Sequence, residues 1–418
     1  MSKPEPVLSV RRLRLYYGTR RGPVRAVDDV SLDIDAGQVM GLVGESGCGK
    51  STLGRGILGL LPEGAHADGE VLYRGRNLIA MSPRELRRLR GPELGLIFQE
   101  PMTRLNPLLR IEDHFRETLE QHESKLTDAE VRKRSLETLG RMGIPPTRFR
   151  QYPHEFSGGM RQRIMIALAL VLHPSLLVAD EPTTSLDVIV EAQILRILAD
   201  LKENFDTALL LITHNLGIVA EACDRMAVMY AGKIVEEGPV REVFADPAHP
   251  YTRELLRSTI SLETTELHSI PGAPPNLIDP PPGCRFHPRC PDAMRVCAQL
   301  VPVEQRLDAG RRVQCWLHGP ERLIPADGGK PLEEAAADRV ERLQVPDADE
   351  RVGSRTHASS ATAIASRSSF SCPPSGSRSN GPCSQHSTRR PGSGATSIGS
   401  FVVQTRMMSG QRGWKRHA

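Results

Sequence analysis

An eight-residue run, Gly44-Glu45-Ser46-Gly47-Cys48-Gly49-Lys50-Ser51, fits the spacing G-x-x-x-x-G-K-[ST], and its chemistry is phosphate binding. The glycines let backbone N–H groups turn inward around phosphate oxygens, and a following helix adds the positive end of its dipole. The Lys50 ammonium can hold β- and γ-phosphates and the Ser51 hydroxyl can ligate Mg2+, with Thr52 continuing the same turn. A second run, Leu176-Leu177-Val178-Ala179-Asp180-Glu181, ends an apolar stretch in two carboxylates. Asp180 suits a hard cation reached through its water shell, and Glu181 suits polarisation of an attacking water. A third, Phe156-Ser157-Gly158-Gly159-Met160-Arg161-Gln162, offers a hydroxyl and two backbone amides at the start of a helix, a second place for a phosphate. Four cysteines, Cys284, Cys290, Cys297 and Cys315, lie within one short region.

Such groups work only if the backbone aims them. The apolar run Val39 to Val43 leads into the glycine turn and predicts a strand, with a helix from Lys50 to Leu60 behind it. Ser175 to Ala179 and Ala208 to Thr213 are short apolar runs bounded by turn signals, as expected of buried parallel strands. In an open α/β sheet, ligands sit at the carboxyl ends of such strands, where Asp180 and Glu181 fall. Val7 to Leu15 and Val30 to Ile34 read as further strands, and Arg225 to Gly238, turning at Ala231-Gly232, reads as a hairpin. Between Met102 and Arg150 the chain is charged and helix-periodic, which predicts a helical insertion. Proline becomes dense from Asp246 to Pro302, so a separate loop-rich extension is expected to begin near residue 240.

The order of these motifs resembles the nucleotide-binding subunits of ATP-binding cassette (ABC) transporters, whose signature has the form S-G-G-x-x-Q. The resemblance implies an α/β P-loop ATPase core over residues 1–240, with a helical subdomain at about 100–157. It implies ATP and Mg2+ as cofactors, Glu181, His214 and Gln99 as catalytic residues, and Ser51, Gln99 and Asp180 around the metal. Nucleotide would be held by Tyr17, which resembles the residue that stacks on adenine and is favoured over its neighbour Tyr16, and by Gly44, Glu45, Ser46, Gly47, Cys48, Gly49, Lys50, Ser51 and Thr52. A second subunit would bring its own Ser157, Gly158, Gly159 and Gln162 to that nucleotide, and Asp187 of Ser185-Leu186-Asp187 would cross the interface between the two.

The segments GLIFQEPMTRLNP, QYPHEFSGGMRQR, ADEPTTSLDV and DPAHPYTRELL look like the ATPase subunits that power import of dipeptides, oligopeptides and sometimes nickel. Met160 and Thr183-Thr184 resemble the first of two such subunits usually paired, while Arg104 replaces a serine common in the family. This resemblance implies a second ATPase subunit, identical or different, two transmembrane permease subunits, and an extracytoplasmic peptide-binding protein as partners.

The four clustered cysteines are separated by five, six and seventeen residues, which is not the paired C-x-x-C of a zinc ribbon. By spacing alone they could hold Zn2+, an iron–sulfur cluster or no metal. The resemblance of Pro282-Gly283-Cys284-Arg285-Phe286-His287-Pro288-Arg289-Cys290 and Cys315-Trp316 to the peptide importers' C-terminal extension, over residues 241–325, implies a [4Fe–4S] cluster on these four. His287 and His318 are read as bystanders, and Cys48 and Cys223 as small packing residues.

The full chain has 418 residues with 54 Lys and Arg against 50 Asp and Glu. Nine Arg and one Lys, with no acidic residue, fall in residues 351–418, which leaves 44 basic against 50 acidic residues, or −6, over residues 1–350. That acidic balance argues against a nucleic-acid partner. A soluble, non-transport ABC ATPase acting on nucleic acid or ribosomes would need two cassettes in one chain or a long coiled coil, and neither pattern occurs. Residues 326–418 read as a linker and a basic, Ser-rich tail. With 16 Ser in its last 68 residues and only isolated large apolar residues, this tail is expected to be disordered. The longest apolar run, Ile164 to Leu172, is far short of the roughly 20 residues that span a bilayer. The N-terminus lacks a secretory h-region, so the chain is expected to stay in the cytosol, and the resemblance to importer subunits implies the cytoplasmic face of the cell membrane.

Overall fold

The computed structural model describes residues 5–98, 105–182, 191, 206–258 and 269–319. Gln99, Arg104, Thr183, Thr184, Ser185, Leu186, Asp187, Cys372, Cys383 and the tail lie outside the described residues.

Two sheets carry the fold. The first is antiparallel, in the order β2-β1-β4-β5, built from β1 (Leu8–Thr19), β2 (Gly22–Ile34), β4 (Ala65–Tyr73) and β5 (Arg76–Asn77). The second has eight strands in the order β11-β12-β10-β9-β3-β8-β7-β6. Its members are β3 (Val39–Val43), β6 (Leu94–Ile97), β7 (Leu176–Asp180), β8 (Ala208–Ile212), β9 (Arg225–Tyr230), β10 (Lys233–Pro239), β11 (Gln305–Arg306) and β12 (Arg312–Val313). The run β9-β3-β8-β7-β6 is parallel, while β10, β12 and β11 pair antiparallel at one edge.

Period-two alternation divides the parallel strands between two cores. Met40, Leu42, Leu176, Val178, Ala208, Leu210 and Ile212 face the core shared with the antiparallel sheet and the helix Lys50–Ile57. Val39, Leu177, Ala179, Leu209 and Leu211 face a second core filled by the insertion, whose helices run Ile111–His122, Asp128–Arg141 and Gly158–Leu170. This parity decides the site: Asp180 continues the Leu176 and Val178 face and therefore meets the helix that begins at Lys50.

Two features differ from the sequence reading. Strand β4 passed unnoticed because its run AHADGEVLY buries only Val71 and Tyr73, too little for a clear alternation. The extension is not separate from the sheet. Glu236 and Glu237 of β10 pair with Val313 and Arg312 of β12, and a third core joins Tyr230, Val240 and Val243 to Tyr251 and Phe286.

Candidate nucleotide site and cysteine cluster

The phosphate loop follows β3, all five of whose residues are buried. Glycine is required at its two ends by close approach as well as by left-handed backbone. A Cβ on Gly44 (φ +152°) would fall 2.1 Å from the Met229 carbonyl oxygen, and one on Gly49 (φ +111°) would fall 2.0 Å from that of Ala26. Ser46 and Gly47 form the exposed crest, whereas Cys48 packs into the core beneath. Lys50, 5% exposed, folds over its own loop, its Nζ donating to the carbonyls of Gly44 at 2.8 Å and Glu45 at 3.0 Å. Ser51 Oγ donates to Asp180 Oδ1 at 2.7 Å, and Arg55 lies 3.6 Å from the other carboxylate oxygen. Burial pushes the Asp180 carboxyl upward, against the hydrogen bond from Ser51 and the charge of Arg55. A hydroxyl and a carboxylate meeting in a buried corner beside the phosphate loop are the oxygen donors that suit Mg2+.

Glu181, one residue beyond the strand, has φ +49°, a conformation costing about 1–3 kcal/mol for a residue with a side chain. Its amide donates to the Ile212 carbonyl at 2.9 Å, one rung past the β7–β8 ladder. The twist turns its carboxylate to within 3.6 Å of His214 Nδ1 at the end of β8. The His214 side chain is 63% exposed, open to a ligand. Behind it, Asn215 caps the helix Leu216–Ala222 through the amides of Gly217 and Ile218.

Of the two adjacent tyrosines on β1, Tyr17 reaches the nucleotide loop, its hydroxyl donating to Thr52 Oγ1 at 3.2 Å. Tyr16 instead donates to Asp28 Oδ1 at 2.6 Å, and burial first, then Asp28, pushes its phenol up to about 12.

Ser157 caps the helix Gly158–Leu170, accepting from the Met160 amide at 3.4 Å, and Ser157 and Gly158 are exposed. Gln162 departs from its expected role as a nucleotide contact. It is 1% exposed, and its Nε2 donates to the Pro182 carbonyl at 2.7 Å. One turn into the helix, its side chain faces inward, onto the segment that carries Glu181.

The four clustered cysteines gather around the loop His287–Arg289 and the helix Arg295–Gln299, and the Cys284 amide donates to the Cys297 carbonyl at 2.7 Å. None is disulfide-bonded. Burial pushes the thiol of Cys284 up to about 11, those of Cys290 and Cys315 up to about 12, and that of Cys297 upward; Cys290 also feels the charges of the other three. Three sulfurs receive a backbone N–H from two residues further on: Phe286 for Cys284, Asp292 for Cys290 and Leu317 for Cys315. Among the described residues, no three His, Cys, Asp or Glu side chains close tightly enough to hold a metal ion. The neighbouring histidines are engaged elsewhere, His287 Nδ1 with the Cys284 carbonyl at 2.8 Å and His318 Nε2 with that of Ala248 at 3.0 Å.

A parallel sheet with a phosphate loop, paired carboxylates at a strand end and a serine-capped, glycine-led signature helix defines an ATP-binding cassette. The family model for the ABC transporter matches residues 27–184, and that for the oligopeptide/dipeptide transporter C-terminal region matches residues 235–297. The dipeptide transport ATP-binding protein DppD of Bacillus subtilis is 46% identical over 75% of this chain and 95% of its own length. The oligopeptide transport ATP-binding protein OppD of Salmonella typhimurium is 45% identical over 75% and 95%. A dimeric structure of the cassette MJ0796 bound to ADP and Pi aligns with TM-score 0.51 and 27% identity, over 56% of this chain and 99% of that one. The chain belongs to the family of ABC transporter ATP-binding proteins.

Proposed function

We propose that this chain is the ATP-hydrolysing subunit of an importer of dipeptides or oligopeptides, with its cassette in residues 1–240 and the importer-type extension in residues 241–325. The observation that carries the ATPase reading is the corner where Ser51 meets Asp180 beside Lys50 and Glu181. Ser51 and Asp180 are the groups that would hold Mg2+, which when bound offsets charge on the β- and γ-phosphates. Lys50 leaves its loop carbonyls to bind phosphate oxygen, Glu181 orients the attacking water and accepts its proton, and His214 contacts the γ-phosphate. Tyr17 stacks on the adenine. Gln99 would contact the attacking water and Mg2+ and couple them to the insertion, and Asp187 would belong to the dimer interface.

The Ser157–Gly158 turn is exposed, and a second subunit closing head to tail would bring it to the nucleotide, a reading the dimeric cassette relative supports. Closure is the mechanical stroke, and hydrolysis reopens the pair. Among the described residues no helix is long and apolar enough to cross a membrane. In line with the peptide-transport relatives, the subunit would work peripherally at the cytoplasmic face, on two permease subunits supplied by other chains. Leu108, 82% exposed at the start of the insertion, supports docking there. A peptide-binding protein on the far side delivers substrate.

The finer reading of the extension is a [4Fe–4S] cluster on Cys284, Cys290, Cys297 and Cys315. Four cysteines in one short region, two buried and two half-buried, with backbone N–H groups aimed at three sulfurs, suit ligation by thiolates. Co-reconstitution with the permease pair in vesicles tests the transport reading. ATP-dependent uptake of a labelled dipeptide or oligopeptide that is lost with Glu181→Gln supports it, and ATP hydrolysis with no peptide uptake refutes it.

A further inference from the structure

Two arginines on the cysteine-bearing loop reach the nucleotide site from its two ends. Arg289, next to Cys290, has a side chain only 6% exposed, yet every one of its N–H groups has an acceptor. Nε donates to the Pro271 carbonyl at 2.8 Å, Nη1 to Glu45 Oε2 at 2.7 Å and to the Tyr230 hydroxyl at 3.3 Å, and Nη2 to Glu45 Oε1 at 2.9 Å and the Ile270 carbonyl at 3.3 Å. The contact with Glu45 is the two-pronged fork that fixes a carboxylate in direction as well as distance. The same residue's amide donates to the Tyr251 hydroxyl at 2.9 Å. Glu45 is the second residue of the phosphate loop, and the Lys50 ammonium rests on its carbonyl. The extension thus grips both the backbone and the side chain of one loop residue.

At the other end stands Arg285, next to Cys284, with a side chain 6% exposed. It is bonded to the Asp28 carboxylate and the Ala231 carbonyl. Asp28 in turn accepts from Tyr16, neighbour of the Tyr17 that faces Thr52. The strand carrying the adenine platform is therefore tied to the same short loop.

We propose that Arg289 and Arg285 are positioning residues for the nucleotide, through which the cysteine-bearing extension sets the affinity of the site for ATP. Arg289 does so at the phosphate end, by neutralising and orienting Glu45. Without it, a carboxylate on the second residue of the phosphate loop would face the triphosphate without that counter-charge and repel it. Arg285 does so at the base end, by holding the strand of Tyr16 and Tyr17 in register. The inference rests on the ATP-binding reading of the site and is independent of what the four thiols hold.

Binding to the purified full-length chain, with MgATP and with inorganic tripolyphosphate as probes, tests it. Arg289→Ala should weaken both ligands at least tenfold, and adding Glu45→Gln should bring both back to within threefold of Glu45→Gln alone, because the repelling charge is gone. Arg285→Ala should weaken MgATP more than threefold while tripolyphosphate changes less than that, since only the base end is disturbed. Should Arg289→Ala not fold, the neutral pair Arg289→Gln with Glu45→Gln and the single change Arg289→Lys replace it, with Arg289→Lys expected to weaken both ligands more than threefold. MgATP affinity within threefold of the parent in folded Arg289→Ala or Arg289→Lys overturns the proposal, as does a double variant no better than the single. A parent chain that binds neither ligand refutes the ATP reading of the site instead.

Discussion

The buried amide of Gln162 donates to the carbonyl of Pro182 at 2.7 Å, which ties the signature helix to the residue directly after Glu181. A helix whose exposed N-terminus is proposed to serve a neighbouring subunit is thereby linked, five residues in, to the carboxylate proposed to serve its own. Replacing the amide by an isosteric apolar group, Gln162→Met, leaves a buried carbonyl unpaired and should cost about 1–3 kcal/mol of stability. It should also lower the ATP turnover rate, while Gln162→Glu, which sets an anion against the carbonyl, should lower it further. Thermal unfolding and steady-state ATPase assays on the two variants check the order. Equal activity of all three proteins would remove the link.

Glu181 and Lys50 should separate chemistry from binding. Glu181→Gln keeps the shape and the strained backbone but cannot accept a proton, so turnover should drop by about 100-fold or more while nucleotide still binds and traps the closed dimer. Lys50→Ala removes a buried cation from the phosphates and should lose nucleotide affinity. Single-turnover hydrolysis beside equilibrium nucleotide binding distinguishes the two, and parental turnover in Glu181→Gln would refute the assigned base.

The cysteines are expected to act together on structure. Changing any one of Cys284, Cys290, Cys297 or Cys315 to alanine should raise amide exchange in residues 280–319 before it does so in the helix Lys50–Ile57, because the proposed ligation would stabilise a region with few apolar side chains of its own. Anaerobic purification with iron and sulfide analysis identifies the group. Stoichiometric zinc without iron would exclude the cluster, and four thiols that alkylate freely in the folded chain would exclude any metal.

His249 supplies a pH signature. Its Nδ1 accepts from the Tyr251 amide at 3.0 Å, the Ala248 and His249 amides are held by Glu236, and His318 and Arg253 stand nearby. Burial, reinforced by the neighbouring His318 and Arg253, lowers its pKa from 6.5 to about 3. Between those values the unfolded chain takes up a proton that the folded chain refuses. The contribution is therefore intact above about 6.5 and falls as the pH drops toward 3, by up to ~1.4 kcal/mol per pH unit. His249→Asn keeps a capping acceptor without that titration, so its melting temperature should fall less than the parent's between pH 7 and pH 5. Parallel curves would refute the assignment.

The chemistry of the nucleotide site was legible in the residues because phosphate binding is a local problem. Gly44 to Ser51 and Ser157 to Gly159 form turn-and-helix geometries within a few residues, and the apolar runs of β3, β7 and β8 are fully buried strands that need no partner to be recognised. The family resemblance extended that reading to His214, whose place beside Glu181 depends on two strands that pair in space although their partnered residues lie 32 apart in sequence. What needed the tertiary structure were relations between distant segments. Strand β4 carries too few apolar residues to announce itself and is defined by its pairing with β1. Gln162 sits in the signature with the spacing of a ligand residue, yet the rotation of its helix turns it into the core. No periodicity could join Arg289 to Glu45 or Arg285 to Asp28, pairs 244 and 257 residues apart. Hydrogen bonds of that kind depend on where folding brings two backbones, and they decide that the cysteine-bearing extension is a brace for the phosphate loop as well as an appendage to the sheet.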